Sequence, residues 1–128
     1  METKRKILLI EDEPALQEAA KLKLEKAGVD VVPAGSGEEG LEILKTVRPD
    51  LVWLDLLLPG MNGLEVLRTI RGDERLKDLP VIIVSVSGGE AKIKQAFSMN
   101  VIDYVIKSEY TIDAITAKVK GILDRLTN

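Results

Sequence analysis

The stretch Leu51-Val52-Trp53-Leu54-Asp55 indicates the fold of this chain, because four apolar residues lead directly into an acid. A turn sequence follows, Leu56-Leu57-Leu58-Pro59-Gly60. A carboxylate at the end of a buried strand is costly unless a cation lies beside it. A second apolar run, Ile7-Leu8-Leu9-Ile10, ends in Glu11-Asp12 in the same way. Two buried strands that end in acids predict one shared acidic pocket, with a cation supplied from elsewhere in the chain.

Short apolar runs alternate with longer amphipathic runs along the whole chain. The strand-like runs are residues 7–10, 30–33, 51–55, 81–86 and 103–106. The helix-like runs are residues 14–27, 37–47, 63–71, 90–98 and 112–126. The run 81–84 is β-branched and does not alternate, as expected of a strand covered on both faces. Five βα units predict an α/β fold with a doubly wound, five-stranded parallel sheet.

Length and composition limit the classes of function that the chain can have. Its 128 residues predict a single domain, 1–128, with no output domain in this chain. Cysteine and histidine are both absent, which excludes disulfides, thiolate catalysis and the commonest transition-metal ligands. Oxygen ligands remain, and they favour hard cations such as Mg²⁺.

Charge and hydropathy predict the surroundings of the protein. The formal charge of −3 argues against direct nucleic-acid binding, which needs a clustered basic surface. No apolar stretch approaches the roughly 20 residues of a membrane span. The chain is therefore expected to be cytoplasmic, with neither a membrane nor a nucleic acid as its partner.

The residues that follow the predicted strands carry the candidate chemistry. They are Glu11-Asp12, Gly35-Ser36, Asp55, Ser85 and Lys107. In a parallel sheet, all of these positions lie at one edge. Three carboxylates against one lysine leave a charge deficit that a bound Mg²⁺ would close.

Such a pocket suits phosphoryl transfer to a carboxylate. Asp55 is the predicted nucleophile because it arrives directly from a buried strand, and it also contributes to the metal site. Asp12 is the predicted main metal ligand, and Glu11 is expected to ligate through water. The backbone carbonyl of Leu57 is expected to supply a further metal oxygen.

At these residues the chain resembles the receiver domains of two-component response regulators over essentially its whole length. The matching motif is Glu11-Asp12 after the first strand, Asp55 spaced from Pro59 and Gly63, Ser85 ending the fourth strand, and Lys107 after the fifth. The resemblance implies a flavodoxin-like sheet with strand order 2-1-3-4-5. All of these elements in order, one per βα unit, make a specific match.

The resemblance further implies a phosphorylation switch and not a turnover enzyme. A histidine kinase or histidine phosphotransfer protein would donate phosphate to Asp55 in a Mg²⁺-dependent step. Ser85 would then be drawn inward, Tyr104 would rotate, and the surface of about residues 88–126 would change for an unknown output protein. The resemblance also suggests a monomer or a weak phosphorylation-dependent dimer.

Several residues depart from the family pattern. Ser108 replaces the usual proline after Lys107, so the cis peptide of the family is not expected, since a non-proline cis bond costs about 2.5 to 4 kcal/mol. We therefore expect the Lys107 loop to follow another path. Asn100-Val101 and Val86 are bulkier than usual, which puts the usual switch geometry in question. Leu57 has no polar side chain to orient water, so a phosphoryl group on Asp55 is expected to hydrolyse slowly.

Two other functions are compatible with the residues. One is a receiver-like adaptor that binds its partner without phosphorylation, which the Lys107-Ser108 pair makes credible. The other is a Mg²⁺-dependent aspartyl phosphatase, although Leu57 stands where such enzymes generally carry a second aspartate. We interpret Gly35-Ser36-Gly37 as a helix cap in which Ser36 pairs with Glu39, and not as a phosphate loop.

Overall fold

The computed structural model describes residues 4–86 and 89–126. Within them, five strands alternate with five helices, and a short 3₁₀ turn, Lys107–Glu109, follows the last strand. The elements are β1 (Lys6–Ile10), α1 (Pro14–Lys26), β2 (Asp30–Ala34), α2 (Gly37–Ile43), β3 (Leu51–Leu54), α3 (Gly63–Gly72), β4 (Val81–Ser85), α4 (Glu90–Ser98), β5 (Asp103–Ile106) and α5 (Ile112–Leu126).

All five strands are parallel and lie in the order β2-β1-β3-β4-β5. This confirms the predicted α/β fold and its strand order. The register brings Ile10 opposite both Ala34 and Leu54, so the carboxyl ends of the central strands are level. Side chains that follow these strands therefore meet at one edge of the sheet.

The sheet separates two apolar clusters, because successive side chains of a strand point to opposite faces. Leu54 and Ile83 belong to the cluster that packs against α2, α3 and α4. Trp53 and Ile82 belong to the cluster that packs against α1 and α5. Trp53 is completely buried. Both faces of the central strands are covered, which explains their continuous apolar sequences.

The largest difference from the predicted boundaries lies in α2, which was expected to reach residue 47 but ends at Ile43. After Ile43 the chain tightens, since the N–H groups of Lys45 and Thr46 donate to carbonyls three residues earlier. The predicted strands 51–55 and 81–86 each end one residue sooner, at Leu54 and Ser85.

The cap of α2 was predicted from the sequence, whereas the cap of α3 was not. The Ser36 hydroxyl accepts from the N–H of Glu39 at 3.1 Å, but the Glu39 carboxylate accepts from the N–H of Gly35 and not of Ser36. The complete capping box starts α3, where Asn62 and Glu65 exchange side-chain and backbone hydrogen bonds. No helix within the described residues has the length and apolar character needed to cross a membrane.

Candidate functional site

The residues that follow the strands form a pocket at the carboxyl edge of the sheet. Glu11 follows β1, Asp55 follows β3, Ser85 ends β4 and Lys107 follows β5. Side chains of all four are joined by hydrogen bonds or ion pairs. The fifth predicted position, Ser36, is engaged elsewhere, because its side chain caps α2.

Asp55 is the central acid of this pocket and is only 3% exposed. Its Oδ1 accepts a hydrogen bond from Ser85 Oγ at 3.1 Å and another from the Leu57 N–H at 3.0 Å. Its Oδ2 accepts from Lys107 Nζ at 2.9 Å. Three donors around one buried carboxylate offset the cost of taking it out of water. The cation required by the sequence argument is therefore Lys107.

Lys107 lies between two acids, with its side chain 9% exposed. Its Nζ is 2.7 Å from Glu11 Oε1 and 2.9 Å from Asp55 Oδ2. Burial disfavours the charged ammonium, but the hydrogen bonds and negative charges of Glu11 and Asp55 outweigh it, so the pKa of Lys107 lies above its usual value. The ammonium is therefore a permanent positive charge in the pocket.

Glu11 is the most deeply buried acid of the site, at 0% exposed. Its pKa is raised to about 7, mainly because burial disfavours the charged carboxylate. The hydrogen bond and charge of Lys107 and the N–H of Glu13 act against this rise, and the negative charge of Asp55 adds to it. The negative charge of Glu11 is therefore compensated only in part. One lysine does not neutralise the three acids of the pocket.

Oxygen atoms of Glu11, Asp12 and Asp55 lie within 4.8 Å of one another. Asp12 is exposed while the other two are buried, so the group opens to solvent on the Asp12 side. An all-oxygen, acid-rich set that is under-neutralised by one lysine has the chemistry that Mg²⁺ prefers. The residues thus fit the metal that the sequence predicted. The part assigned to the Leu57 carbonyl stays a prediction.

The two predicted switch residues differ in their surroundings. Ser85 is fully buried, and its hydroxyl already donates to Asp55 without a phosphoryl group. Tyr104 is partly buried against the apolar cluster that contains Leu54 and Ile83. Burial, and then the negative charge of Asp55, raise the pKa of the Tyr104 phenol.

The Lys107-Ser108 pair does not keep the lysine from the pocket. None of the described peptide bonds is cis, and residues 107–109 form a 3₁₀ turn. Lys107 nevertheless reaches both Glu11 and Asp55, so the expected change of path does not remove its contacts. Asn100, one of the bulkier residues, adopts a positive φ of 60°, a conformation that asparagine tolerates better than most residues.

Sequence reasoning missed Gln17, which contacts the backbone of the site. Its side-chain amide donates to the carbonyl oxygens of Glu11 at 2.8 Å and Ala34 at 3.1 Å. It also missed Glu38, whose carboxylate accepts from the N–H of Met61 in the loop that follows Asp55. Both lie in first turns of helices, where side chains point back toward the edge of the sheet. The position of Gln17 and Glu38 in the first turns of predicted helices was therefore the sequence signal that could have identified them.

The chain is similar to characterised regulators over nearly its whole length. Residues 7–120 match the family model described as response regulator receiver domain. The DNA-binding dual master transcriptional regulator RpaA of Synechocystis is 35% identical over 120 residues, which cover 94% of this chain and 49% of RpaA. The transcriptional regulatory protein AfsQ1 of Streptomyces coelicolor is 37% identical over 119 residues, with 93% and 51% covered. This chain spans about half the length of these relatives.

Solved structures show the same similarity. The phosphorylated cyanobacterial phytochrome response regulator RcpA superimposes with a TM-score of 0.83 at 33% identity, covering 94% of this chain and 91% of RcpA. The Mn²⁺-bound form of the response regulator Rcp1 gives 0.81 at 28% identity, with 92% and 91% covered. One of these relatives is thus named as phosphorylated and the other as metal-bound.

These similarities correct the prediction about partners, which excluded nucleic acid. RpaA is named as DNA-binding, and this chain spans only 49% of it. The prediction was wrong because the net charge of −3 describes the surface of this domain alone. It carries no information about a DNA-binding domain that acts with a receiver.

Proposed function

This chain belongs to the response regulator receiver family, and on that premise we propose that it accepts a phosphoryl group on Asp55 from a partner phosphohistidine. Receiver domains of this family act in phosphorylation-dependent signalling as switches and not, in general, as turnover enzymes. The observation that carries the proposal is the set of three donors around the buried Asp55 carboxylate. Such donors suit the oxygens of a phosphoryl group as well as those of a carboxylate.

Asp55, Lys107 and Ser85 have different roles in the proposed phosphoryl transfer. An oxygen of Asp55 forms a bond to phosphorus while the phosphorus–nitrogen bond of the donor breaks and its electron pair returns to the imidazole. Lys107 Nζ and Ser85 Oγ, which now contact Asp55, are in reach to donate to phosphoryl oxygens. Their charge and hydrogen bonds stabilise the negative oxygens of the transition state.

Receiver domains bind Mg²⁺ at an acidic pocket, and we extend this to Glu11, Asp12 and Asp55 together with the Leu57 carbonyl. When bound, the metal supplies positive charge to the phosphoryl oxygens. Asp12 is the ligand most open to solvent, and Glu11, held by Lys107, would act through water. The charge deficit of the pocket supports this assignment.

Phosphorylation is proposed to reach the output surface through Ser85 and Tyr104. Once the Ser85 hydroxyl bonds a phosphoryl oxygen instead of Asp55 Oδ1, β4 is drawn toward the site. Tyr104 lies on β5 opposite Ile83 of β4, so it is placed to respond. The faces of α4, β5 and α5 would then change, which is a local charge event that biases a two-state element.

The output proposed for this signal is control of transcription. RpaA and AfsQ1 are both named as transcriptional regulators, and RpaA as DNA-binding. We extend that class of output to this chain, with phosphorylation of Asp55 controlling a DNA-binding domain.

Leu57, which is 47% exposed, has no polar side chain of its own to orient a water molecule toward a phosphoryl group on Asp55. This supports a long-lived phosphoryl group.

The test uses acetyl phosphate as a small phosphodonor, with Mg²⁺ present or removed by a chelator. The wild-type chain should gain one phosphoryl group by intact mass only with Mg²⁺, and Asp55→Ala should gain none. Beryllofluoride with Mg²⁺ should change Trp53 emission in the wild type alone, because Trp53 lies two residues from Asp55 in β3. A chain that shows no Mg²⁺-dependent adduct at Asp55 would contradict the proposal.

The same experiment separates the other candidate functions. The adaptor alternative was based on the unusual Lys107-Ser108 pair, and it loses support because Lys107 Nζ lies 2.9 Å from Asp55 Oδ2. The phosphatase alternative would require continuous turnover of a small phosphate ester. A single, stable phosphoryl group on Asp55 is the result expected of a switch.

A further inference from the structure

The side chain of Gln17 connects the ends of two neighbouring strands by hydrogen bonds, and it has no part in the phosphoryl transfer proposed above. Its Nε2 donates to the carbonyl oxygen of Glu11 at 2.8 Å and to that of Ala34 at 3.1 Å. Glu11 directly follows β1 and Ala34 ends β2, and these two strands are parallel neighbours. A glutamine amide carries two N–H donors, which is the number that this bridge requires.

The bridge continues the sheet beyond its last backbone rung. The N–H of Glu11 donates to the Ala34 carbonyl at 3.0 Å, and after Ala34 the chain turns away into α2. The backbone after Glu11 consequently has no strand partner on that side. The Gln17 amide takes the place of that partner, because side chains in the first turn of α1 point back to the sheet edge.

The bridge matters most for the position of Asp12. Its side chain is exposed, and in residues 4–86 and 89–126 no hydrogen bond or ion pair holds its carboxylate. Glu11 is fixed by burial and by Lys107, whereas the position of Asp12 depends on the backbone that presents it. An arginine or lysine at position 17 could also donate to carbonyls but would repel a cation. An amide supplies donors without charge.

We propose that Gln17 is a positioning residue of the metal pocket, and that its bridge from Glu11 to Ala34 holds the backbone that presents Asp12 to a divalent cation. This rests on the proposed function, since it concerns the same Mg²⁺ site. Gln17 acts through the backbone of Glu11 and does not itself ligate the metal. Groups that orient metal ligands in this way typically change affinity about 10- to 100-fold when removed.

The experiment compares Gln17→Met, which keeps the length of the side chain but removes both donors, with Gln95→Met on the exposed face of α4. Mg²⁺ is titrated into the full chain while the amide resonances of Asp12 and Asp55 are followed by NMR. Gln17→Met should raise the Kd for Mg²⁺ by roughly tenfold, and Gln95→Met should not change it. At saturating Mg²⁺, the rate of labelling by acetyl phosphate should return toward that of the wild type.

If Gln17 had only a structural role, Gln17→Met would lower the melting temperature. It would not raise the Kd for Mg²⁺ while leaving the labelling rate at saturating Mg²⁺ near that of the wild type. An unchanged Kd in Gln17→Met would overturn the inference. If that variant does not fold, Gln17→Asn, whose shorter amide cannot span the two carbonyls, must show the same rise in Kd or the inference fails.

Hydrogen exchange without metal separates the two proposals. Loss of the bridge should speed hydrogen exchange of the Glu11 amide in both Gln17→Met and Gln17→Asn. If the wild type binds no Mg²⁺ but this exchange still accelerates, the metal site is wrong and only the bridging role of Gln17 stands.

Discussion

The two buried acids of the pocket, Asp55 and Glu11, differ in how well their negative charges are compensated. Asp55 is buried but accepts three hydrogen bonds, so its charge is compensated. Glu11 is buried and shares Lys107 with Asp55, so its charge is compensated only in part. The raised pKa of Glu11 is the consequence. A pocket in this condition favours any ligand that brings positive charge.

The first prediction concerns the stability of the metal-free protein as a function of pH. The pKa of Glu11 is about 7 in the folded chain against 4.5 as its ordinary value, so the folded state binds this proton more tightly. Its contribution to stability is therefore full below about pH 4.5 and is lost as the pH rises through about 7. The loss should be up to about 3 kcal/mol, measured by urea unfolding at several pH values. Glu11→Gln should remove this part of the pH dependence, and an equal pH dependence in both proteins would contradict the assignment.

The second prediction concerns Lys107→Met. The substitution leaves Glu11 and Asp55 facing each other without a cation, in a pocket where the lysine was 9% exposed. The free energy of unfolding at about pH 8 should fall by about 3 kcal/mol, as for other broken buried ion pairs. Lys92→Met, an exposed position on α4, should change it by less than about 0.5 kcal/mol. Equal effects of the two substitutions would show that Lys107 is not held as described.

At the scale of elements, the loop between β3 and α3 shapes the pocket. The Leu57 N–H contacts Asp55 at one end of this loop, and Glu38 of α2 accepts from the Met61 N–H near the other end. Gly63 then begins α3 directly against the backbone of Asp55 and Leu56. This close approach explains the spacing between Asp55 and Gly63, because any side chain at Gly63 would push α3 away from the loop.

The third prediction tests that approach with two substitutions in one helix. A Cβ at Gly63 would lie 2.5 Å from Leu56 Cα and still closer to the Asp55 carbonyl oxygen, both of them backbone atoms. Gly63→Ala should therefore destabilise the chain by about 2 kcal/mol. Gly72→Ala, at the other end of α3, meets nothing within 4 Å and should be neutral or stabilising by up to about 1 kcal/mol. Thermal unfolding measures both, and a harmless Gly63→Ala would contradict the contact.

At the scale of the whole molecule, one sheet joins two apolar clusters. Each strand contributes alternate residues to both clusters, so neither can lose its packing without disturbing the same strands. The candidate site lies at the edge of the same sheet, since Glu11, Asp55 and Lys107 follow β1, β3 and β5. Stability and the geometry of the site are therefore linked.

The fourth prediction is that the chain unfolds as a single cooperative unit. Leu67→Ala in the first cluster and Leu123→Ala in the second should each cost about 2 to 5 kcal/mol. Trp53 fluorescence reports on the second cluster and far-UV circular dichroism on all helices, yet their urea transitions should coincide in both variants. Separate transitions in Leu67→Ala would show that the two clusters unfold independently.

The sequence by itself determined the order of the elements, the parallel sheet and the identity of the residues at the strand ends. These features follow from local patterns, since a buried strand such as residues 81–84 needs only its own residues to be recognised. The place of Asp55, Ser85 and Lys107 at one edge followed from topology alone.

Only the tertiary structure decided how those residues share their charge. The pairing of Lys107 with both Glu11 and Asp55 joins residues far apart in the chain, and so does the Gln17 bridge to Ala34. The burial of Glu11 beside the exposed Asp12 likewise could not be read from two adjacent acids. Distances and burial depend on how the elements pack, and the charge balance of the pocket depends on both.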